Sequence, residues 1–346
     1  YAGIVVKSSG VRVVNSTVTQ DGYGVVIIGD NNTIYDSNIA GYYYGVNVTG
    51  NHTVIVRSYV YGYDSPGIYI WGSDNNITDV YASSDGYDSP GIYIIGNHTV
   101  IVRSYASGYY GYGIVIYGSY NNVTDTHAAG DDNDGIYIHG SYNNITDSVV
   151  KGEWSGVIIY GSRNLIYGSS FTGSYGDGID IYGSYNNITD VYAYGHNYGV
   201  YITGNDTAIV RSYVAGDFYD GIDIYGSYNN VTDVYAVGYG GNGIYIVGND
   251  NVISGSSFTG SWGYGIYIGG SDNTIADTYA YGHDYGIYIY GSYNTIRSTN
   301  ITGYYYDSID IYGSHNTITD IHAAGEDSGI YIVGNDNVIS GSSFTG

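Results

Sequence analysis

A phrase of the form Gly-Ile-x-Ile, or a close variant, returns sixteen times along this chain. Its anchors are positions 3, 24, 45, 67, 91, 113, 135, 156, 178, 199, 221, 243, 265, 286, 308 and 329. The spacing is 21 or 22 residues, with a single interval of 24. A fixed period of this size, rich in Gly and β-branched residues, predicts a β-solenoid, because each repeat is too short to bury a core alone and must stack on its neighbours.

Counting each anchor as position zero, positions +1, +3 and +10 are Ile or Val in every repeat, as in Ile68, Ile70 and Ile77 or Ile287, Ile289 and Ile296. Position +15 is Ala, Val, Ile or Phe, and +17 is mostly Gly. Alternation at +1 and +3 marks a strand with one buried face. Each rung is therefore expected to hold three short strands, near +1 to +4, +8 to +11 and +13 to +16, with bends between them. Stacking at the normal interstrand distance of about 4.8 Å gives a rod of roughly 75 Å, right-handed by the usual crossover preference. The expected fold is all-β: a right-handed, single-stranded parallel β-helix of about sixteen rungs, forming one domain over residues 1–346. Related endings at 168–173, 255–260 and 341–346 add a four-rung higher repeat in the second half.

The run GIYIYGSYNTIRSTNITG at 286–303 resembles the parallel β-helix repeat superfamily. The similarity is to its carbohydrate-binding and sugar-hydrolase type, which includes periplasmic copper-binding maturation proteins and archaeal surface proteins. The resemblance implies the fold over the whole chain. The copper role would call for clustered Met, Cys or His, but Met and Cys are absent and the eight His are scattered. No metal site and no cofactor are expected. DGIDI at 177–181 and 220–224 resembles the acidic strand motif of polygalacturonases, and Asp131, Asp132 and Asp134 could mimic their paired aspartates. The Gly-His-Gly and Arg-x-Lys elements of that branch are missing. The second Asp of each DGIDI also occupies a position that alternation places outward. No catalytic residue is expected, and the chain is read as a non-enzyme.

Position +8 is Asn in twelve rungs: Asn32, Asn75, Asn121, Asn143, Asn164, Asn186, Asn229, Asn251, Asn273, Asn294, Asn316 and Asn337. Asn at a bend bonds backbone groups and the amide one rung away, so these residues are expected to form a structural ladder. Position +12 alternates Asp with Arg, Gly or Ser, except where Asp125 precedes Asp147. That alternation separates like charges in register.

Tyrosine is the unusual component, 50 residues in all. Tyr69, Tyr93, Tyr137, Tyr201, Tyr245, Tyr267, Tyr288 and Tyr331 share position +2, and Tyr120, Tyr142, Tyr185, Tyr228 and Tyr293 share +7. The +2 set is read as an interaction surface, since Tyr offers an apolar ring with a polar end. Twelve Asn-x-Ser/Thr sequons mark candidate glycosylation sites at Asn15, Asn31, Asn47, Asn51, Asn76, Asn97, Asn122, Asn144, Asn187, Asn205, Asn230 and Asn300. Asn76, Asn122, Asn144, Asn187 and Asn230 share the outward position +9 and are expected to carry sugar.

A net charge of −24 repels phosphate backbones and anionic lipid, so neither nucleic-acid binding nor membrane insertion is expected. Absence of Cys and Met suits an extracellular or cell-surface setting. The function expected is that of a glycosylated structural rod in a filament, sheath or surface layer. Its partners would be covalent glycans and other copies, packed laterally or head to tail, since the last repeat could continue into a first repeat nearly in register. A carbohydrate-binding or polysaccharide-degrading β-helix is the alternative.

Overall fold

The computed structural model describes residues 1–346. The chain contains 48 short strands and no helix, and each rung gives one strand to each of three all-parallel sheets. It forms two compact units, Tyr1–Tyr175 and Gly176–Gly346, each holding eight rungs.

Within each unit the same rung positions face inward. From rung 2 to rung 15 the residues at +1, +3 and +10 are buried, and Phe171 and Phe258 at +15 are fully enclosed. Fully burying an Ile or Val contributes about 1.5–3 kcal/mol, so a column of identical β-branched side chains is an additive core. Backbone amides donate to carbonyls of the adjacent rung, as from Ile136 to Gly156 and from Ile222 to Gly243, at 3.0 and 3.1 Å.

The first strand spans +1 to +4, as expected (Ile68–Trp71, Ile287–Tyr290). The second covers +9 to +11 (Asn187–Thr189), and the third covers +14 to +17 (Tyr192–Gly195). The third is thus shifted by one residue from the expected span. The Gly at +17 is the last strand residue and not a residue of the bend. A side chain there has no room: a Cβ on Gly195 would lie 1.8 Å from the Tyr198 carbonyl oxygen.

Two corners of each rung use the left-handed region. Position +12 does so in Arg57, Asp79 and Asp233, with φ of 43°, 55° and 54°. Position +7 does so in Tyr120, Tyr142, Tyr185, Tyr228 and Tyr293, with φ of 59–61°. This explains more of the +12 pattern than charge does. Asp tolerates such φ values better than most residues and Gly adopts them freely. Gly168 and Gly255 also lie under the preceding Asp: a Cβ would fall 2.5 Å from Oδ1 of Asp147 or Asp233. Where Arg follows Asp, the guanidinium donates to the carboxylate of the preceding rung in a fork, Arg103 to Asp79 at 2.8 and 3.0 Å and Arg211 to Asp190 at 2.8 Å twice.

Candidate functional site

The interior of the coil is apolar except for the Asn column at +8 and a buried Ser/Thr column at +13, where the Ser58 and Ser148 hydroxyls accept the N–H groups of Ser37 and Thr126 at 3.2 Å. The Asn side chains are buried except at Asn337 in the last rung, and their Oδ1 atoms accept the backbone N–H of the preceding rung, from Asn229 to Asn251 and from Asn251 to Asn273 at 2.8 and 2.9 Å. Their Nδ2 groups, that of Asn75 excepted, donate to the next Asn Oδ1, as from Asn229 to Asn251 at 3.1 Å, or to glycine carbonyls, as from Asn143 to Gly118 at 3.0 Å. Thr53, Thr99 and Thr207 stand in the same column where Asn is missing; Thr53 and Thr99 donate their N–H to Asn75 and Asn121. This column leaves chemistry to the outside.

Outside, the flattest aromatic stack lies at +14, a position not among the expected surface columns. In the first unit Tyr59 and Tyr81 stack at 4.6 Å and 3°, and Tyr81 and Tyr105 at 4.7 Å and 5°. His127 extends that stack. In the second unit Tyr192, Tyr213 and Tyr235 stack at 5.2 and 5.3 Å. The sequence does carry the signal: +14 alternates with buried +15, and strands paired in exact register put identical rings face to face.

The Tyr residues at +2 lie differently. Tyr69, Tyr93, Tyr137, Tyr201, Tyr245, Tyr267 and Tyr288 are half-buried, and only Tyr331 of the set is exposed. Tyr69–Tyr93 and Tyr245–Tyr267–Tyr288 stack on each other, while Tyr44, Tyr198 and Tyr264 at position −1 close over their sides. At +7, Tyr120 and Tyr142 stack at 4.8 Å and 7°.

The same −1 and +2 columns hold the carboxylates of the second unit, and here the outward reading needs correction. Asp180, Asp223 and Asp310 leave the strand on its outer side but are buried, Asp223 to 2% and Asp310 to 3% exposure. Residues at −1 cover them. Each belongs to a D-x-I-D phrase, 177–180, 220–223 or 307–310. The first Asp of two phrases accepts a backbone N–H from the next rung, Asp177 from Tyr198 at 3.0 Å and Asp220 from Asn242 at 2.6 Å. The second then sits against the first. Burial raises Asp177, with the Asp180 contact acting against it, and the Asp307 contact adds to the rise of Asp310. Burial, reinforced by the charges of Asp220 and Asp177, pushes Asp223 up to about 7. One of its carboxyl oxygens has no hydrogen-bond partner. Burial also raises Asp220 to about 6, and burial with the Asp307 contact raises Asp310 to about 7. Neighbouring phenols respond in kind: burial and then Asp223 and Asp220 raise Tyr198. These carboxyl groups keep their protons to a higher pH than an ordinary Asp, Asp223 and Asp310 higher than Asp220, a property suited to proton donation.

Asp131, Asp132 and Asp134 do not form a comparable group. Asp131 and Asp132 are exposed, whereas Asp134 is buried and accepts the Ser155 N–H. Asp131 instead borders a shallow concavity of about 350 Å³ with Lys151, Glu153 and Tyr175. No three acidic or His side chains converge in the geometry of a metal site.

Of the sequon residues, Asn15, Asn31, Asn76, Asn97, Asn187, Asn205, Asn230 and Asn300 are exposed, and Asn47, Asn51, Asn122 and Asn144 are half-buried. At +9 the Thr two residues on donates to the Asn carbonyl, from Thr232 to Asn230 at 2.8 Å and from Thr124 to Asn122 at 3.0 Å. Asn51, Asn97 and Asn205 already accept backbone N–H groups from the next rung.

The family model described as a right handed beta helix region matches residues 2–141, 134–280 and 264–346. The chain belongs to the right-handed β-helix family. No curated protein matches it. Among solved structures, this β-helix is similar to the A-module of mannuronan C-5 epimerase AlgE4 from Azotobacter vinelandii. The TM-score is 0.47 and the identity 14%, over 98% of this chain and 91% of that one.

Proposed function

We propose that this β-helix is an extracellular structural protein, glycosylated on its outer columns and assembled with other copies into a filament, sheath or surface layer. The observation that carries the reading is repetition on the outside. The exposed columns present the same phenol rung after rung, in register, as at Tyr59, Tyr81 and Tyr105 and again at Tyr192, Tyr213 and Tyr235. A surface that repeats one chemistry at each rung suits contact with another repeating object, a second solenoid or a polymer. Tyr serves such contacts well, with a large ring, few rotatable bonds and a hydroxyl that stays wet. The exposed sequon residues Asn76, Asn187 and Asn230 support modification by sugar.

The deciding experiment is electron microscopy of the native material together with glycopeptide mapping. Ordered assemblies with sugar on the +9 asparagines are expected. Dispersed single particles with every sequon peptide bare would overturn the proposal.

The buried carboxyls favour one second reading, a carbohydrate-binding or polysaccharide-modifying protein. A carboxyl that stays protonated near neutral pH beside an ionised one is the pairing used in glycosidic chemistry. Asp220 and Asp223 offer it in the second unit. Release of reducing ends or unsaturated products from a polysaccharide, lost in Asp223→Asn with the fold intact, would establish this reading; no release is expected.

A further inference from the structure

The chain has 50 Tyr, three Trp and neither Cys nor Met, so an oxidant arriving at its surface meets phenols first. The most regular stack sets these phenols in pairs. Tyr59 and Tyr81 are Cα partners in adjacent strands, and so are Tyr81 and Tyr105. Their rings lie 4.6 and 4.7 Å apart and within 5° of parallel. Tyr59 is 47% and Tyr81 37% exposed, so an oxidant can reach both rings and both have space to tilt. Tyr120 and Tyr142 repeat the arrangement at another corner, at 4.8 Å and 7°.

We propose that these in-register stacks are sites of oxidative cross-linking, at which neighbouring tyrosines of one chain couple into dityrosine and covalently join successive rungs. The co-reactant is a peroxide acting through a one-electron oxidant of the peroxidase class. Each phenol gives up one electron and its hydroxyl proton and becomes a phenoxyl radical. Two such radicals on adjacent rungs combine through the ring carbons ortho to oxygen, forming one carbon–carbon bond. The ring hydrogens at the joined carbons then transfer to the oxygens, restoring two phenols. The pair has lost two hydrogen atoms overall, and one hydrogen peroxide is reduced to two waters. The backbone register sets selectivity. A radical at Tyr81 has partners held beside it on both sides, so coupling within the chain outruns encounter with a second molecule. This holds whether or not the chain assembles.

The test is to treat the dilute full-length protein with a haem peroxidase and hydrogen peroxide. Dityrosine fluorescence, denaturing electrophoresis and mass spectrometry of the digest are then recorded. A monomer lighter by two hydrogen atoms per link is expected, with Tyr59–Tyr81 or Tyr81–Tyr105 peptides joined and the yield per molecule unchanged on dilution. Tyr81→Phe keeps a ring in the stack and removes the phenol, so both links at that column should vanish while Tyr120–Tyr142 persists. Tyr87, 78% exposed and in no ring stack, serves as the control for exposure. Coupling that follows exposure, with Tyr87 dominant, would overturn the proposal. So would links only between molecules, an unchanged pattern in Tyr81→Phe, or no dityrosine at all.

Discussion

Replacing Asp223 with Asn swaps a buried carboxyl for a neutral group of nearly the same shape, and its effect should depend on pH with a definite sign. In the folded chain burial raises this carboxyl from the ordinary 3.8 to about 7. Below pH 4 it is protonated in both folded and unfolded states and contributes no difference. Between pH 4 and 7 only the unfolded chain releases the proton, so rising pH favours unfolding. A tenfold difference in proton affinity is worth about 1.4 kcal/mol. The roughly thousandfold difference between the two states therefore amounts to about 4 kcal/mol lost by pH 7, with no further change above it. Asn does not titrate, so Asp223→Asn escapes this loss.

The readout is hydrogen exchange of the backbone amides around Ile222–Tyr225, which reports local stability without requiring the whole solenoid to unfold at once. Comparing the two proteins at the same pH removes the intrinsic pH dependence of exchange. At pH 8 the variant should exchange more slowly than the parent by about a thousandfold relative to their ratio at pH 4, since about 1.4 kcal/mol is tenfold. An equal ratio at the two pH values would refute the argument that Asp223 is kept neutral by burial.

Two further substitutions probe the frame. Asn251→Ala removes the acceptor of both the Asn229 N–H and its Nδ2, leaving buried donors unpaired, and should cost at least about 2 kcal/mol in local exchange stability; Asn251→Thr, which copies Thr207, should cost less. Arg103 stands at φ 44° and forks onto Asp79 in solvent, so Arg103→Gly should melt no lower than Arg103→Ala despite losing the same ion pair, and high salt should narrow the gap between parent and both variants.

The inward half of each rung is legible in the sequence because one requirement repeats sixteen times. Only β-branched residues fill +1, +3 and +10, and +8 calls for a side chain that accepts from the rung before it, most often Asn. The third strand lies one residue beyond its expected span because Gly195 and its equivalents look like bend residues. They are Gly for a different reason, close approach of the Tyr198 carbonyl. The burial of Asp180, Asp223 and Asp310 is not legible, because alternation says only which side of a strand a residue leaves from. Whether that side is covered depends on residues at −1, a contact between positions three apart that the periodicity of single columns does not reveal.

That contact also answers how a chain of net charge −24 can repeat every column at about 4.8 Å without repelling itself apart. The columns treat acid in three ways. At +12, Asp79 and Asp190 are followed by an arginine that forks onto them, and Asp147 and Asp233 by a glycine beneath them. At −1 and +2 of the second unit, every acidic rung is separated from the next by at least one rung without acid. Asp177 and Asp180 are followed by Tyr198 and Tyr201, then Asp220 and Asp223, then Asn242 and Tyr245. No two D-x-I-D phrases are adjacent, and within a phrase the charge is relieved by a retained proton. Elsewhere on the outside, the columns that run longest in perfect register are neutral rings, for which register brings stacking and not repulsion. The abundance of tyrosine and the scarcity of adjacent aspartates are thus two consequences of the same stacking rule.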